Sequence, residues 1–306
     1  MRDDHWNHPS TFDTLMRWDD VVGHAALVAS DEQRAQFDRL GFLLFPRLLG
    51  EDALDTLRRA LASLVAESSQ LSLSNEWFDL EPGHTSASPK LRRAMIADDA
   101  RSAIWDLCRD SVIVDIAADI LGPNLRFRDC FVNFKWAGGG AAVHWHQDIA
   151  FYPHTNTGTC QFLVALEDVG SKQGPLRVIP ESHRGDVLSH YDDAGNWAAK
   201  IADENVDASG AIELTGLAGS VSVHHSCLLH SSSANTSDRG RPMLVLTYAA
   251  ADAIPYSAPP YRSSHYGELV RGVQPAYAHH EPIDLPLPPD WTHGYQSIFS
   301  DQHDRT

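Results

Sequence analysis

The spacing of apolar positions changes once along this chain. Up to about residue 121 they recur every three or four residues. Beyond it they come in short β-branched and aromatic runs broken by Gly, Pro, Asn and Asp. In the first part, Leu54, Leu57, Leu61, Leu64 and Val65 mark one face of an amphipathic helix that starts near Glu51. Ahead of it, Ser30 and Gln33 form a capping-box pattern and Gly41 a stop signal. They predict a helix over about 31–40, followed by an apolar strand from Phe42 to Pro46. Ser68 to Lys90 is polar and rich in turn residues and reads as one long loop, of a length often used as a lid or binding segment. Residues 93 to 121 read as helical again. Residues 1 to 29 carry little pattern and read as an N-terminal extension.

From Leu125 the runs LRFRDCFVNFKW, VHWHQDIAFY, CQFLVALEDV, PLRVIP, GSVSVHH and PMLVLTYAA all read as strands. Successive strands without intervening helices predict an antiparallel sandwich or jelly roll. The expected architecture is therefore one domain over 1–306: helices over about 30–121, a β core over about 122–252, and an irregular tail, 253–306, wrapped over it.

Composition narrows the function classes. The net charge of −17 works against nucleic acid or an anionic membrane as partner, because both select a basic surface. No apolar run reaches the ~18 residues that span a bilayer, and the acidic, His-rich start, MRDDHWNHPS, lacks the apolar core of a secretory signal. Cys108, Cys130, Cys160 and Cys227 show no CxxC spacing, which suits reduced thiols in a cytoplasmic protein. A small molecule is the expected partner. Oligomeric state is not legible.

The chemistry concentrates in Val143–Asp148, VHWHQD. On a strand, His144, His146 and Asp148 would all leave one face. An imidazole and a carboxylate facing a barrel interior are costly unless they are paired or bind a metal. A second His-x-Asp, His190 with Asp192, sits in SHYDDAGN and reads as a polar turn. Further candidates follow near residue 230 in HHSCLLHSSSANTSDRGRP, which holds His224, His225 and His230. A His and an Asp two apart plus one distant His make a facial triad, the arrangement that leaves adjacent positions open on Fe(II); zinc more often takes three His, or Cys.

Three stretches together resemble the phytanoyl-CoA dioxygenase family of Fe(II)/2-oxoglutarate-dependent oxygenases. They are HQD (His146 to Asp148) with its following aromatics and Pro153, ALEDVGSKQGPLRVIPESHRG (Ala165 to Gly185), and LLHSSSANTSDRGR (Leu228 to Arg241). The opening QFDRLGFLLFPRLL is similar too, and the resemblance covers roughly residues 31 to 250. It implies a double-stranded β-helix (jelly-roll) core with flanking helices. It also implies His146, Asp148 and His230 as metal ligands, leaving His144, His224 and His225 in supporting or structural roles. Arg241, eleven residues after His230, would hold the distal carboxylate of 2-oxoglutarate through its planar fork, with Ser232 adding a hydroxyl and Lys135 nearby. Arg239 is the rival anchor and reads as a solvated turn residue. Phe151 and Tyr152 would line a substrate pocket or belong to the core.

The implied cofactors are Fe(II), 2-oxoglutarate and O2, and the implied reaction is hydroxylation of an unactivated C–H with release of succinate and CO2. Related halogenases lack the carboxylate that Asp148 supplies, so its presence favours hydroxylation. Two other readings compete. A cupin-type metalloenzyme would need a Glu shortly after His144 and His146, where the chain has Ile149-Ala-Phe-Tyr-Pro153. A non-catalytic jelly-roll binding protein would keep the same residues as hydrogen-bonded structure. The substrate would be read by Ser68 to Lys90, by residues 186 to 212 and by the tail. No basic cluster suited to coenzyme A is visible, which leaves a small polar metabolite or natural-product intermediate.

Overall fold

The computed structural model describes residues 28–96, 102–261, 263–293, 295 and 297–303. The extension expected over 1–29 lies almost wholly outside the described residues. Helix α1 (Asp31–Leu40) has the expected capping box at Ser30 and Gln33, and Gly41 ends it at φ 80°, a conformation that glycine adopts without strain. Strand β1 (Phe42–Phe45) follows, then α2 (Glu51–Ser68), which buries Leu54, Leu57, Leu61 and Leu64.

The next stretch departs from the expected pattern. The predicted loop contains β2 (Phe78–Leu80), and β3 (Leu91–Met95) takes in residues 93–95, expected to start a helix. Leu-Arg-Arg-Ala-Met suits a helix by propensity, but pairing with a long neighbouring strand overrides a weak local preference. The helical part is two helices, α3 (Ser102–Arg109) and α4 (Val112–Leu121), separated at Ser111, whose side chain caps α4.

The strands predicted after Leu125 all form: β4 (Leu125–Lys135), β5 (Val143–His146), β6 (Thr159–Ala165), β7 (Leu176–Val178), β9 (Val221–His225) and β11 (Arg241–Ala250). Three short ones were not expected: β8 (Ile212–Leu214), β10 (His230–Ser232) and β12 (Leu269–Arg271). All pairings are antiparallel. A large sheet runs β1-β9-β6-β11-β4-β3-β2, with β12 also on β4, and a small sheet runs β5-β10-β7-β8. This is the jelly-roll core with flanking helices. The tail is largely irregular, as expected, and carries β12 and a short helix, α5 (Ile298–His303).

Alternation along the large sheet divides the interior. Cys130, Val132 and Phe134 of β4, Phe162 and Val164 of β6, and Leu244, Leu246 and Tyr248 of β11 pack in one cluster with the helices. The intervening Phe131, Leu163, Met243 and Val245 belong to a second cluster with Leu176 and Val178 of the small sheet and Tyr261, Trp291, Tyr295, Ile298 and Phe299 of the tail. Leu64 is fully buried in the first cluster, so Leu64→Ala is expected to cost about 2–5 kcal/mol. Urea unfolding measures this as a lower midpoint at unchanged slope.

Candidate active site

Strand β5 does not keep the strict alternation that the VHWHQD pattern suggests. His146 pairs with His230 and Val143 with Ser232, so the register shifts between them. The bulge brings Val143 and His146 to the cavity and leaves the His144 side chain out of its lining. Asp148 is not on the strand; it opens a 3₁₀ turn, Asp148–Ala150. His144 acts through its backbone, because its carbonyl accepts a hydrogen bond of 2.8 Å from His146 Nδ1. His230 Nδ1 donates likewise to the Leu228 carbonyl at 2.8 Å.

These two bonds fix both tautomers and leave the Nε2 lone pairs of His146 and His230 facing Asp148. Burial, more than any other influence, lowers the pKa of both imidazoles, which keeps them neutral. Burial would raise the Asp148 carboxyl, but His230, His224 and His146 outweigh it and hold the group ionised. The Nε2 atoms lie 3.8 and 3.7 Å from Asp148 Oδ1, too far for hydrogen bonds. One atom from each of the three residues falls within 4.8 Å of the others. Three lone pairs converge with no proton between them, and such a donor set fits a cation. Two imidazoles and one carboxylate match the open-sided ligation of Fe(II).

His224 was expected to be structural. It is fully buried, and its Nε2 donates to Asp148 Oδ2 at 3.0 Å, fixing the carboxylate through its other oxygen, with its ring centre 4.3 Å from that of His230. His225 is structural: its Nδ1 accepts from the Cys227 amide. His190 is a clearer departure. Asp192 does lie in an exposed turn, but His190 is fully buried, accepts from the Gln147 amide at 2.9 Å and stacks on Trp197. Its polar neighbours in sequence gave no sign of this. The side chain of Gln147 spans the same region, donating to the Cys227 carbonyl and accepting from the Leu188 amide.

Burial above all depresses the His190 pKa to about 3. The unfolded chain therefore binds a proton that the folded chain refuses between pH 6.5 and about 3, and stability falls as pH drops through that window. In the metal-free protein the melting temperature is expected to decline steadily below pH 6.5. His190→Phe should flatten part of that decline, and thermal melts across the range measure it.

The triad opens on a cavity of about 730 Å³, mouth included. Lys135, Ser232 and Arg241, which the resemblance assigns to 2-oxoglutarate, line it together. Lys135 and Arg241 face each other in register on β4 and β11. Burial lowers the Lys135 pKa, and its amine donates to Ser232 Oγ at 2.7 Å and to the carbonyls of Ser232 and Ser233. Arg241 is buried, its pKa pushed down to about 10, and its Nε has no partner. Arg239 is exposed and outside the cavity. Phe151 and Tyr152 both line the cavity and belong to the second core cluster. Of the segments expected to read the substrate, the tail contributes Tyr261, Ile298 and Phe299. Neither Ser68–Lys90 nor 186–212 supplies a lining residue.

A family model for phytanoyl-CoA dioxygenase (PhyH) matches residues 37–243. The chain belongs to the phytanoyl-CoA dioxygenase family of Fe(II)/2-oxoglutarate-dependent oxygenases. Among related proteins, a probable alpha-ketoglutarate-dependent hypophosphite dioxygenase of Stutzerimonas stutzeri is 37% identical over 186 residues, 59% of this chain and 65% of that protein. The chain thus spans just under two thirds of that relative. L-proline trans-4-hydroxylase of Streptomyces griseoviridis is 29% identical over 238 residues, 71% of this chain and 85% of that protein. Among solved structures, EctD from S. alaskensis with bound Fe superposes with a TM-score of 0.64 at 24% identity, covering 82% of this chain and 87% of that one, and so shares the fold. No helix among the described residues is long and apolar enough to cross a membrane.

Proposed function

We propose that this family member hydroxylates an unactivated C–H of a small polar metabolite or natural-product intermediate, with His146, Asp148 and His230 holding Fe(II) and Arg241 holding 2-oxoglutarate. One observation carries the assignment of roles. The three-residue donor set and an unpaired, buried guanidinium line the same cavity. Bound iron supplies the oxidising chemistry, coupling O2 reduction to decarboxylation of 2-oxoglutarate into succinate and CO2.

The chain's own residues bind, orient and exclude water. Arg241 offers a planar fork to the distal carboxylate, a match that a lysine cannot reproduce. Lys135 holds Ser232 in place beside it. Gln161 and the apolar wall of Leu163, Leu176, Met243 and Val245 line the same chamber, where burial makes charges act more strongly than in water. The named relatives are a probable hypophosphite dioxygenase and an L-proline hydroxylase, and both molecules are compact and polar. A cytoplasmic location suits the four buried free thiols.

The test is anaerobic titration of the metal-free protein with Fe(II) and 2-oxoglutarate, followed by succinate release on admitting air. A weak visible band near ~500 nm is expected from a keto acid chelated at an open facial site. Iron binding without the band would favour a metalloenzyme that does not use 2-oxoglutarate. Failure to bind iron would overturn the ligand assignment.

A further inference from the structure

A second buried guanidinium lines the cavity without an ion-pair partner among the described residues. Arg93, on β3, is 3% exposed, and its Nε has no hydrogen-bond partner. Its neighbour Arg92 forms a two-point ion pair with Asp79, at 2.9 Å for both bonds, whereas Arg93 has no carboxylate partner among the described residues. What it does have is one hydrogen bond, Nη1 to the Tyr261 hydroxyl at 2.6 Å, and two aromatic faces, with its Cζ 4.0 Å from the Phe131 ring centre and 4.2 Å from that of Tyr261. A guanidinium is a permanent cation, and rings with one hydroxyl do not neutralise it; the buried Asp129 feels its charge but accepts from Thr247 and forms no ion pair with it. Leaving such a charge unpaired inside a protein is costly, and the cost persists where a ligand supplies the missing partner.

Position separates this group from the co-substrate's anchor. Arg93 pairs in register with Asn133 on β4, and its guanidinium reaches on to Phe131. Arg241 pairs with Lys135 at the opposite end of the inward-facing run Phe131, Asn133, Lys135. The two arginines therefore mark two ends of one cavity. The Arg93 end also offers the Tyr152 hydroxyl, which has no hydrogen-bond partner among the described residues.

We infer that Arg93 docks an oxyanion of the substrate, a carboxylate or a phosphorus oxyacid group, so that the substrate is a small anion or zwitterion held between the Phe131–Tyr261 end and the triad. This rests on the oxygenase reading above and adds the substrate class. Tyr261, which orients the guanidinium, comes from the tail.

The experiment uses full-length protein loaded anaerobically with Fe(II) and saturating 2-oxoglutarate, so that Arg241 is already occupied. Calorimetry then compares short carboxylates and alkylphosphonates with their neutral amides and esters, on wild type, Arg93→Gln and Arg93→Lys. At least one anion is expected to bind wild type while its neutral counterpart does not, and which set binds tells carboxylate from phosphorus oxyanion. Arg93→Gln should weaken that anion by about 30-fold, the scale of a charge-assisted pair, and Arg93→Lys by less. The 2-oxoglutarate band should be unchanged in both variants, which also reports that they fold. If the band forms but no anion binds wild type better than Arg93→Gln, or if neutral counterparts bind equally, the inference fails alone. If wild type gives no band, the oxygenase reading fails first. Should Arg93→Gln not fold, the anion-against-neutral comparison on wild type decides.

Discussion

Asp148→Ala should lower substrate-dependent succinate release by roughly 10³-fold or more, the loss that follows when about 4 kcal/mol of stabilisation is removed from the reacting state. The carboxylate is the only anionic member of the donor set, and its two oxygens differ: His224 hydrogen-bonds Oδ2, while Oδ1 is left free facing the two Nε2 lone pairs. Alanine removes the charge and leaves three buried imidazoles around a gap. Iron affinity should fall as well, measured by equilibrium dialysis. Removing a mere support of a ligand costs about 10–100-fold in affinity, so losing the ligand itself should cost at least that. Activity within tenfold of wild type would mean that Asp148 is not a ligand. His224→Gln separates support from ligation, since it should weaken iron binding only moderately and leave turnover measurable.

The second large effect belongs to Arg241. Arg241→Ala should raise the 2-oxoglutarate dissociation constant about 100-fold, as expected for loss of a charge-assisted, two-point hydrogen bond worth about 3 kcal/mol. Arg241→Lys keeps the charge without the fork and should fall between. Arg239→Ala should do nothing, because Arg239 is exposed and does not line the cavity. Titrating the visible band in each variant gives the constants directly. An Arg241→Ala protein that binds 2-oxoglutarate within threefold of wild type would show that another cation anchors it, and Arg93 would be the next to test.

Much of the site was legible because its residues lie in short, spaced motifs. His146 with Asp148, and His230 with Ser232 and Arg241, could be read along the chain, and the structure brings all five to one cavity. The strands of the β core were legible for a similar reason: two-residue alternation is a local property, and Phe131, Asn133 and Lys135 announce their shared face. What could not be read depends on pairing between distant segments. The β5 bulge that turns Val143 inward in place of His144 exists only against β10. β3 is a strand because β4 offers it an edge, against the helical preference of Leu-Arg-Arg-Ala-Met. His190 is buried by Trp197, Phe151 and the Gln147 backbone, none of which its own neighbours reveal. Arg93 gave a faint signal, since two adjacent arginines within the apolar run LRRAMI seldom both face water.

The tail that closes the cavity has a consequence for how such a protein changes. Residues 37–243 match the family and carry all six residues expected to bind metal and 2-oxoglutarate. Tyr261, Ile298 and Phe299 lie beyond that span, and the tail is fastened to the core through Ser297 and Asp79. Part of the cavity wall thus sits on a stretch separate from the residues expected to bind metal and 2-oxoglutarate. Grafting a different tail after residue 250 should redirect which compound is accepted while leaving the oxidising machinery intact, a modularity that lets one scaffold be recruited to new metabolites by replacing its ending.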